Sequence, residues 1–221
     1  MTHITIDKKE KLYRVLDVRR LTAASSIIRF ERKNMPFEPG QYVRIGMPDS
    51  LEIRAYSIYS SQQDDALEIL VRHIEDGLVS EQLINIKAGD SIQVQGPYGD
   101  FKLLPEQQDN PLLFIATGTG ISPYHSFVAS YPDLQYRLIH GTTLLEEDYE
   151  SVFYGSNYFH CVSRASGADY QGRVTDYLNS LVLDPKTNVF LCGNCNMIYD
   201  SFDLLQEKGI PIAHVHTEVY F

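Results

Sequence analysis

Along the first half of the chain, apolar and polar residues alternate in short runs: LYRVLDVRRL, SIIRFER, YVRIGMP, RAYSIYS, LEILVRHI and DSIQVQG. A period of two sends successive side chains to opposite faces, which predicts half-buried antiparallel strands. Turn formers stand between the runs at Glu38-Pro39-Gly40, Lys87-Ala88-Gly89-Asp90 and Gly96-Pro97-Tyr98-Gly99. Short strands spaced in this way predict a small antiparallel barrel. One helix interrupts it, with Ser80 as a cap for Glu81-Gln82-Leu83 directly after the turn Asp76-Gly77.

Beyond Pro105 the pattern changes. The apolar runs LLFIAT, YRLIHG, YFHCVS, VFLCG and AHVHTE are separated by helical stretches, EEDYESVFY, VTDYLNSLV and MIYDSFDLLQEK. Such alternation predicts a doubly wound α/β domain whose parallel sheet is covered on both faces. The polar segment PEQQDN sits between the two patterns, so the expected domains are residues 1–106 and 107–221.

Composition narrows the class. With 43% hydrophobic and 22% charged residues the chain is that of an ordinary globular protein, and no apolar run approaches the roughly 20 residues that span a bilayer. The N-terminus lacks an apolar signal core, so the expected location is the cytoplasm. Cys161, Cys192 and Cys195 are too few for a disulfide framework or a four-cysteine iron–sulfur cluster, and an iron–sulfur partner would be a separate molecule. The net charge of −10 disfavours nucleic acid. Most acidity is C-terminal, where only Arg137, Arg164, Arg173, Lys186 and Lys208 are positive beyond residue 106. Residues 8–33 are locally basic through Lys8, Lys9, Lys11, Arg14, Arg19, Arg20, Arg29, Arg32 and Lys33. They form either a solvated strand face or a docking surface for an acidic partner.

The run LLFIAT leads into Gly118-Thr119-Gly120-Ile121-Ser122-Pro123, whose glycines allow close approach of backbone to a phosphate. Ser122 is expected as N-cap and Pro123 as first helical residue, so that the helix start faces an anion. The loop departs from the GxGxxG fingerprint.

Five segments, in order along nearly the whole chain, resemble ferredoxin/flavodoxin-NADP reductases. Arg54-Ala55-Tyr56-Ser57 resembles that family's RxYS flavin motif. The resemblance implies that Arg54 holds the FAD pyrophosphate, Tyr56 lies on the isoalloxazine and Ser57 hydrogen-bonds near flavin N5. Gly77-Leu78-Val79-Ser80 is similar to the loop whose backbone binds the flavin diphosphate, and Leu70, Val71, Arg72 and His73 fall where the family lines the rest of FAD. Gly96-Pro97-Tyr98-Gly99-Asp100-Phe101 resembles a structural turn that closes the barrel.

In the second half, the resemblance implies that Gly118, Thr119 and Gly120 approach the nicotinamide nucleotide, with Thr119 near the flavin. Cys192-Gly193-Asn194-Cys195-Asn196-Met197 is similar to the family's CGNPxM, which implies Cys192 beside the nicotinamide and Gly193 to Met197 along the nucleotide. Cys195 replaces a proline and creates a C-x-x-C spacing; further ligands for a metal are not apparent, and a neutral thiol is expected. Glu218-Val219-Tyr220-Phe221 resembles the family's ending. There Tyr220 would cover the flavin face opposite Tyr56 and act as a gate, Glu218 would lie near the nicotinamide, and Phe221 stands where relatives have Trp or nothing. Ser163, Arg164 and Arg173 fall where the family contacts the adenosine 2′-phosphate, and Thr142-Thr143 where many relatives have an arginine.

The implied activity is electron transfer between NADPH and a one-electron carrier, ferredoxin or flavodoxin, with Ser57, Cys192, Glu218 and Tyr220 at the hydride site. Alternatives are an NAD(P)H-dependent reductase component of an oxygenase system and a flavin-binding redox module without turnover.

Overall fold

The computed structural model describes residues 12–48, 50–75 and 77–220. The first half forms strands β1 (Leu12–Arg20), β2 (Ser25–Glu31), β3 (Tyr42–Gly46), β4 (Ile53–Ser57) and β5 (Ala66–Arg72). Helix α1 (Leu78–Ile84) and strand β6 (Ser91–Tyr98) complete it. Every pairing is antiparallel, in the order β4-β3-β6-β1-β2-β5, and a bridge from Ile58 to Ile69 brings the two ends of the sheet together. The expected barrel is therefore present, closed at Ile58 and Ile69. Inward-facing Val15, Ile28, Phe30, Val43, Ile45, Leu67, Ile69 and Val71 fill its interior.

Helix α1 begins three residues earlier than Ser80 would set it. Gly77 is the N-cap, and the Ser80 hydroxyl instead donates to Gly77 O and accepts from Ile74 N, both at 3.2 Å. Ser80 thus stitches the turn to the helix from inside the first turn.

The short helix α2 (Pro105–Gln108) leads to the second sheet: β7 (Leu112–Thr117), α3 (Ser122–Ser130), β8 (Tyr136–Thr142), α4 (Ser151–Tyr154), β9 (Tyr158–Val162) and β10 (Tyr170–Gln171). Then follow α5 (Val174–Ser180), β11 (Asn188–Asn194), α6 (Cys195–Glu207) and β12 (Val215–Tyr220). All strands are parallel, in the order β10-β9-β8-β7-β11-β12. β7 and β11 are buried almost throughout, as strands covered on both faces must be. Helices α5 and α6 cover one face through Val174, Leu178, Met197, Ile198 and Leu205, while Tyr124 and Phe127 of α3 pack on the other. The strand order reverses between β7 and β11, so both end at the topological switch point where open α/β sheets bind ligands.

Two local expectations are corrected. Ser122 does not cap α3: a 3₁₀ turn over Gly118–Ile121 runs directly into the helix, Ile121 takes the cap position, and the Ser122 hydroxyl donates back to Thr119 O at 2.7 Å. The helix expected over EEDYESVFY is broken, because Tyr149 and Glu150 adopt left-handed backbone conformations (φ 36° and 65°). Their side chains explain this: Tyr149 OH shares a 2.9 Å hydrogen bond with Ser25, and Glu150 accepts from Tyr59 OH at 2.7 Å and pairs with Arg19. Contact with the barrel outweighs local helix propensity and holds this backbone in an uncommon state.

The barrel and the parallel sheet are packed together. Ile27 and Leu70 of the barrel share a core with Phe114, Tyr124, Phe127 and Phe190. The Tyr59 and His125 rings stack at 3.7 Å, His125 Nδ1 donates to Tyr59 O at 2.7 Å, and Ser126 donates to Ser60 O at 2.7 Å. No described helix is long and apolar enough to cross a membrane.

Candidate functional site

One cleft of about 1730 Å³ runs between the two sheets. This exceeds the roughly 300–1,000 Å³ typical of a small-molecule pocket and gives room for two nucleotides. Its barrel wall carries Arg54, Ala55, Tyr56 and Ser57 from β4, Leu70 and Arg72 from β5, His73 after it, and Leu78, Val79 and Ser80 from α1. Its other wall carries Gly118 and Thr119, Thr142 and Thr143, Ser163, Arg173, and Gly193, Asn194, Asn196 and Met197. Glu218 and Tyr220 of the edge strand β12 face it. Segments far apart in sequence therefore converge on one surface.

At the centre a hydrogen-bonded chain joins the walls. Tyr220 OH donates to Ser57 Oγ at 2.6 Å, and Ser57 Oγ donates to Glu218 Oε1 at 2.9 Å. Register explains why Glu218 meets Cys192: they are paired residues of β12 and β11. Partial burial pushes the Glu218 carboxyl up to about 7, against the opposing effect of the Ser57 hydrogen bond. Burial also raises Tyr220 and the Cys192 thiol well above their ordinary values, which keeps both neutral. Tyr56 is pushed up to about 12 by burial, with Arg54 acting in the opposite direction.

The glycines at the sheet ends are fixed by contact. A Cβ on Gly193 (φ 130°) would collide with Thr117 Oγ1 and lie 2.8 Å from Thr117 O, and one on Gly120 would lie 2.7 Å from Cys192 C. The two strand ends meet without side chains between them. Asn194 caps α6, accepting from Asn196 N at 3.0 Å and Met197 N at 3.4 Å.

Several expected residues lie elsewhere. Val71 points into the barrel core, as alternation along β5 demands when Leu70 and Arg72 face the cleft. Gly120 is buried against β11, and Cys192 is wholly buried, so it sits behind the cleft surface and not on it. Cys195 begins α6 and Arg164 is exposed, and neither lines the cleft. Phe221 lies outside the described residues, as do Lys8, Lys9 and Lys11.

Comparison with known proteins fits this geometry. Residues 10–103 match the family profile described as "Oxidoreductase FAD-binding domain". The chain is 30% identical to ferredoxin–NADP reductase B of Sorangium cellulosum over 94% of its own length and 96% of the relative's. The chain belongs to the ferredoxin–NADP reductase family. It is also 31% identical to the toluate 1,2-dioxygenase electron transfer component of Pseudomonas putida, over 93% of this chain and 66% of that one. Across the first three curated relatives it spans 44 to 66% of their length. A solved ferredoxin NADP+ reductase from Neisseria gonorrhoeae has the same fold, with a TM-score of 0.85, 24% identity, and coverage of 95% of this chain and 98% of that one.

The cleft of this reductase-family chain also contains residues that the motifs did not indicate. Glu147 is almost buried, accepts from Thr143 N and Leu144 N at 3.1 Å each, and pairs with Arg72 at 2.8 Å. His140 lies behind the turn at Gly118. Its Nε2 donates to Gly118 O and its Nδ1 accepts from Tyr158 OH, both at 2.8 Å, and burial lowers it to about 3. A carbonyl acceptor and a neutral ring together fix the Nε2–H tautomer. Buried His140 in the apolar run YRLIHG was a visible signal in the sequence; Glu147 was hidden in an acidic stretch.

Proposed function

We propose that this chain holds FAD between its sheets and carries electrons between NADPH and a one-electron carrier protein. The observation that carries the reading is the chain Tyr220–Ser57–Glu218, which brings a hydroxyl and a titratable carboxyl from opposite walls to one point of a dinucleotide-sized cleft. The residues present fit the cofactor: Arg54 offers a guanidinium to a diphosphate, neutral Tyr56 a flat apolar face, and Gly77 a turn in which a Cβ would lie 2.9 Å from Ile74 O. FAD, when bound, supplies the hydride acceptor and the ability to pass its electrons on singly.

The chain's own residues then position and exchange protons. Ser57 orients whatever approaches its hydroxyl, and Glu218 can hold or release a proton near neutral pH because its carboxyl is raised to about 7. Tyr220 occupies Ser57 in this structure and has to leave it for a nicotinamide to reach the same point, which makes it a gate. Cys192 packs beneath as a neutral thiol. Ser163 and Arg173 line the cleft where an adenosine 2′-phosphate would lie, and neither Arg173 nor Arg164 makes an ion pair among the described residues. Of the two, Arg173 is therefore the one free to meet a phosphate in the cleft.

The carrier is a ferredoxin or flavodoxin in this reading. The basic docking surface expected on the first strands is much reduced: Arg19 pairs with Glu150, Arg29 with Asp65 and Glu68, and Lys33 with Glu31. Arg20 donates to backbone carbonyls of Ala23 and Ile84 and Arg32 to those of Met35, Gln62 and Asp64, which leaves Arg14 as the arginine of that group whose guanidinium makes no hydrogen bond or ion pair among the described residues. A second reading is favoured by the toluate and anthranilate dioxygenase relatives, namely a reductase component serving an oxygenase. Steady-state reduction of a ferredoxin, a flavodoxin and an oxygenase-type iron–sulfur protein by the FAD-loaded chain with NADPH separates the readings. Preference for the last would favour the second, and no transfer to any of them would defeat both.

A further inference from the structure

Arg72 ends β5 on the barrel side, and Glu147 ends the 3₁₀ turn Leu145–Glu147 on the other wall. Glu147 divides its carboxylate between two tasks. Oε2 accepts from Thr143 N and Leu144 N, and Oε1 accepts from Arg72 Nη2 at 2.8 Å, across the cleft. The Glu147 side chain is 6% exposed and that of Arg72 42%, so the carboxylate is buried while the guanidinium keeps a face open to the cleft. Arg72 Nη1 comes within 3.8 Å of the position of a Cβ on Gly118, so the guanidinium overhangs the turn at the end of β7.

The charge of the cleft gives this pair its importance. Arg54 is paired with Glu52 and Lys102 with Glu38, each at 3.1 Å, and both lie on the barrel wall. Arg72 is the cation placed at the switch-point turn, and Glu147 compensates its charge and takes one edge of its fork. A diphosphate bound at that turn would meet a guanidinium already engaged by Glu147.

We propose that Glu147 sets the affinity of the cleft for a nicotinamide dinucleotide by withholding Arg72 from the diphosphate, so that nucleotide and carboxylate compete for one guanidinium. Glu147 acts through Arg72 and is a positioning residue. The proposal rests on the nucleotide-binding reading above and adds a control on its strength.

Glu147→Gln tests it, because the amide oxygen still accepts from Thr143 N and Leu144 N while the charge that holds Arg72 is gone. Binding of NADP+, NAD+ and 2′-AMP to the FAD-loaded protein is measured by flavin difference absorbance and calorimetry. The variant is expected to bind NADP+ and NAD+ about tenfold more tightly, the scale of one charge-assisted contact. Binding of 2′-AMP, which has no diphosphate, is expected to stay the same. The gain should shrink as salt rises. Arg72→Gln should weaken both dinucleotides, and the double variant should match Arg72→Gln. A merely structural role for Glu147 predicts the opposite sign, since loosening the turn weakens binding. Weaker or unchanged dinucleotide binding in Glu147→Gln, or a change confined to FAD retention, overturns the proposal. Failure of the unaltered protein to bind any nucleotide overturns the underlying reading, and this inference with it.

Discussion

Ser57, the last residue of β4, donates a 2.9 Å hydrogen bond to Glu218 of β12, 161 residues further along the chain. The bond spans the two sheets, and Tyr220 completes it from the same strand as Glu218. Ser57→Ala leaves the carboxyl without its donor and the phenol without its acceptor. The expected result is retention of FAD with a roughly 100-fold slower reduction of the flavin by NADPH, the scale of a misplaced reacting group. Stopped-flow absorbance checks it; an unchanged rate would remove Ser57 from the site.

Glu218 gives the cleft a pH dependence. Its carboxyl is raised from about 4.5 to about 7 in the folded protein, so the folded state takes up a proton more readily than the unfolded one. The associated stability is fully present below about pH 4.5 and is lost as pH rises through about 7. Relative to Glu218→Gln, the unaltered protein should lose stability across that window and run parallel to it above. Chemical denaturation of both proteins at a series of pH values reads the difference directly.

Buried histidines act in the opposite direction. His140 is lowered to about 3 and His125 to about 4, in both cases chiefly by burial. Their contribution is present above the ordinary histidine value of about 6.5 and is lost as pH falls below it. Acidification from pH 6.5 to 4 should therefore destabilise the protein, and His140→Asn, less stable at neutral pH, should show a shallower acid slope. Equal slopes in the two proteins would mean that His140 is not the titrating group.

Much of this was legible in the sequence, for identifiable reasons. Alternation along LEILVRHI marked a barrel strand, and the buried run LLFIAT marked a parallel one, because period and burial follow from backbone geometry. The alternation, strictly applied, also separates Val71 from Leu70 and Arg72, which a segment-wide motif match blurs. What stayed hidden depends on contacts between distant segments. Tyr149 and Glu150 break a helical pattern because Ser25, Arg19 and Tyr59 hold their side chains. Ser122 and Ser80 have the chemistry of caps but find nearer carbonyls. Glu147 shows no motif, since its role arises only when Arg72 comes across the cleft.

Arg164 and Arg173 were equivalent in the sequence but differ in place: Arg173 lines the cleft, and Arg164 does not. Arg173→Ala should raise KM for NADPH roughly tenfold and leave NADH nearly unaffected, as loss of a charge-assisted contact to a 2′-phosphate requires. Arg164→Ala should have a smaller effect. Steady-state kinetics with both nucleotides provides the check, and an equal effect of Arg173→Ala on the two would assign it a structural role.

If one cleft brings FAD and a nicotinamide nucleotide together at Ser57, Glu218 and Tyr220, NADPH must reduce the flavin bound there. Anaerobic mixing of the purified, FAD-loaded protein with NADPH in a stopped-flow spectrometer tests it most directly. The predicted result is loss of the flavin absorbance near 450 nm within a catalytic timescale, on the order of 1–10³ s⁻¹, slowed strongly in Ser57→Ala. A protein that binds no FAD, or whose bound FAD keeps its absorbance in the presence of excess NADPH, would show that the cleft does not unite the two nucleotides.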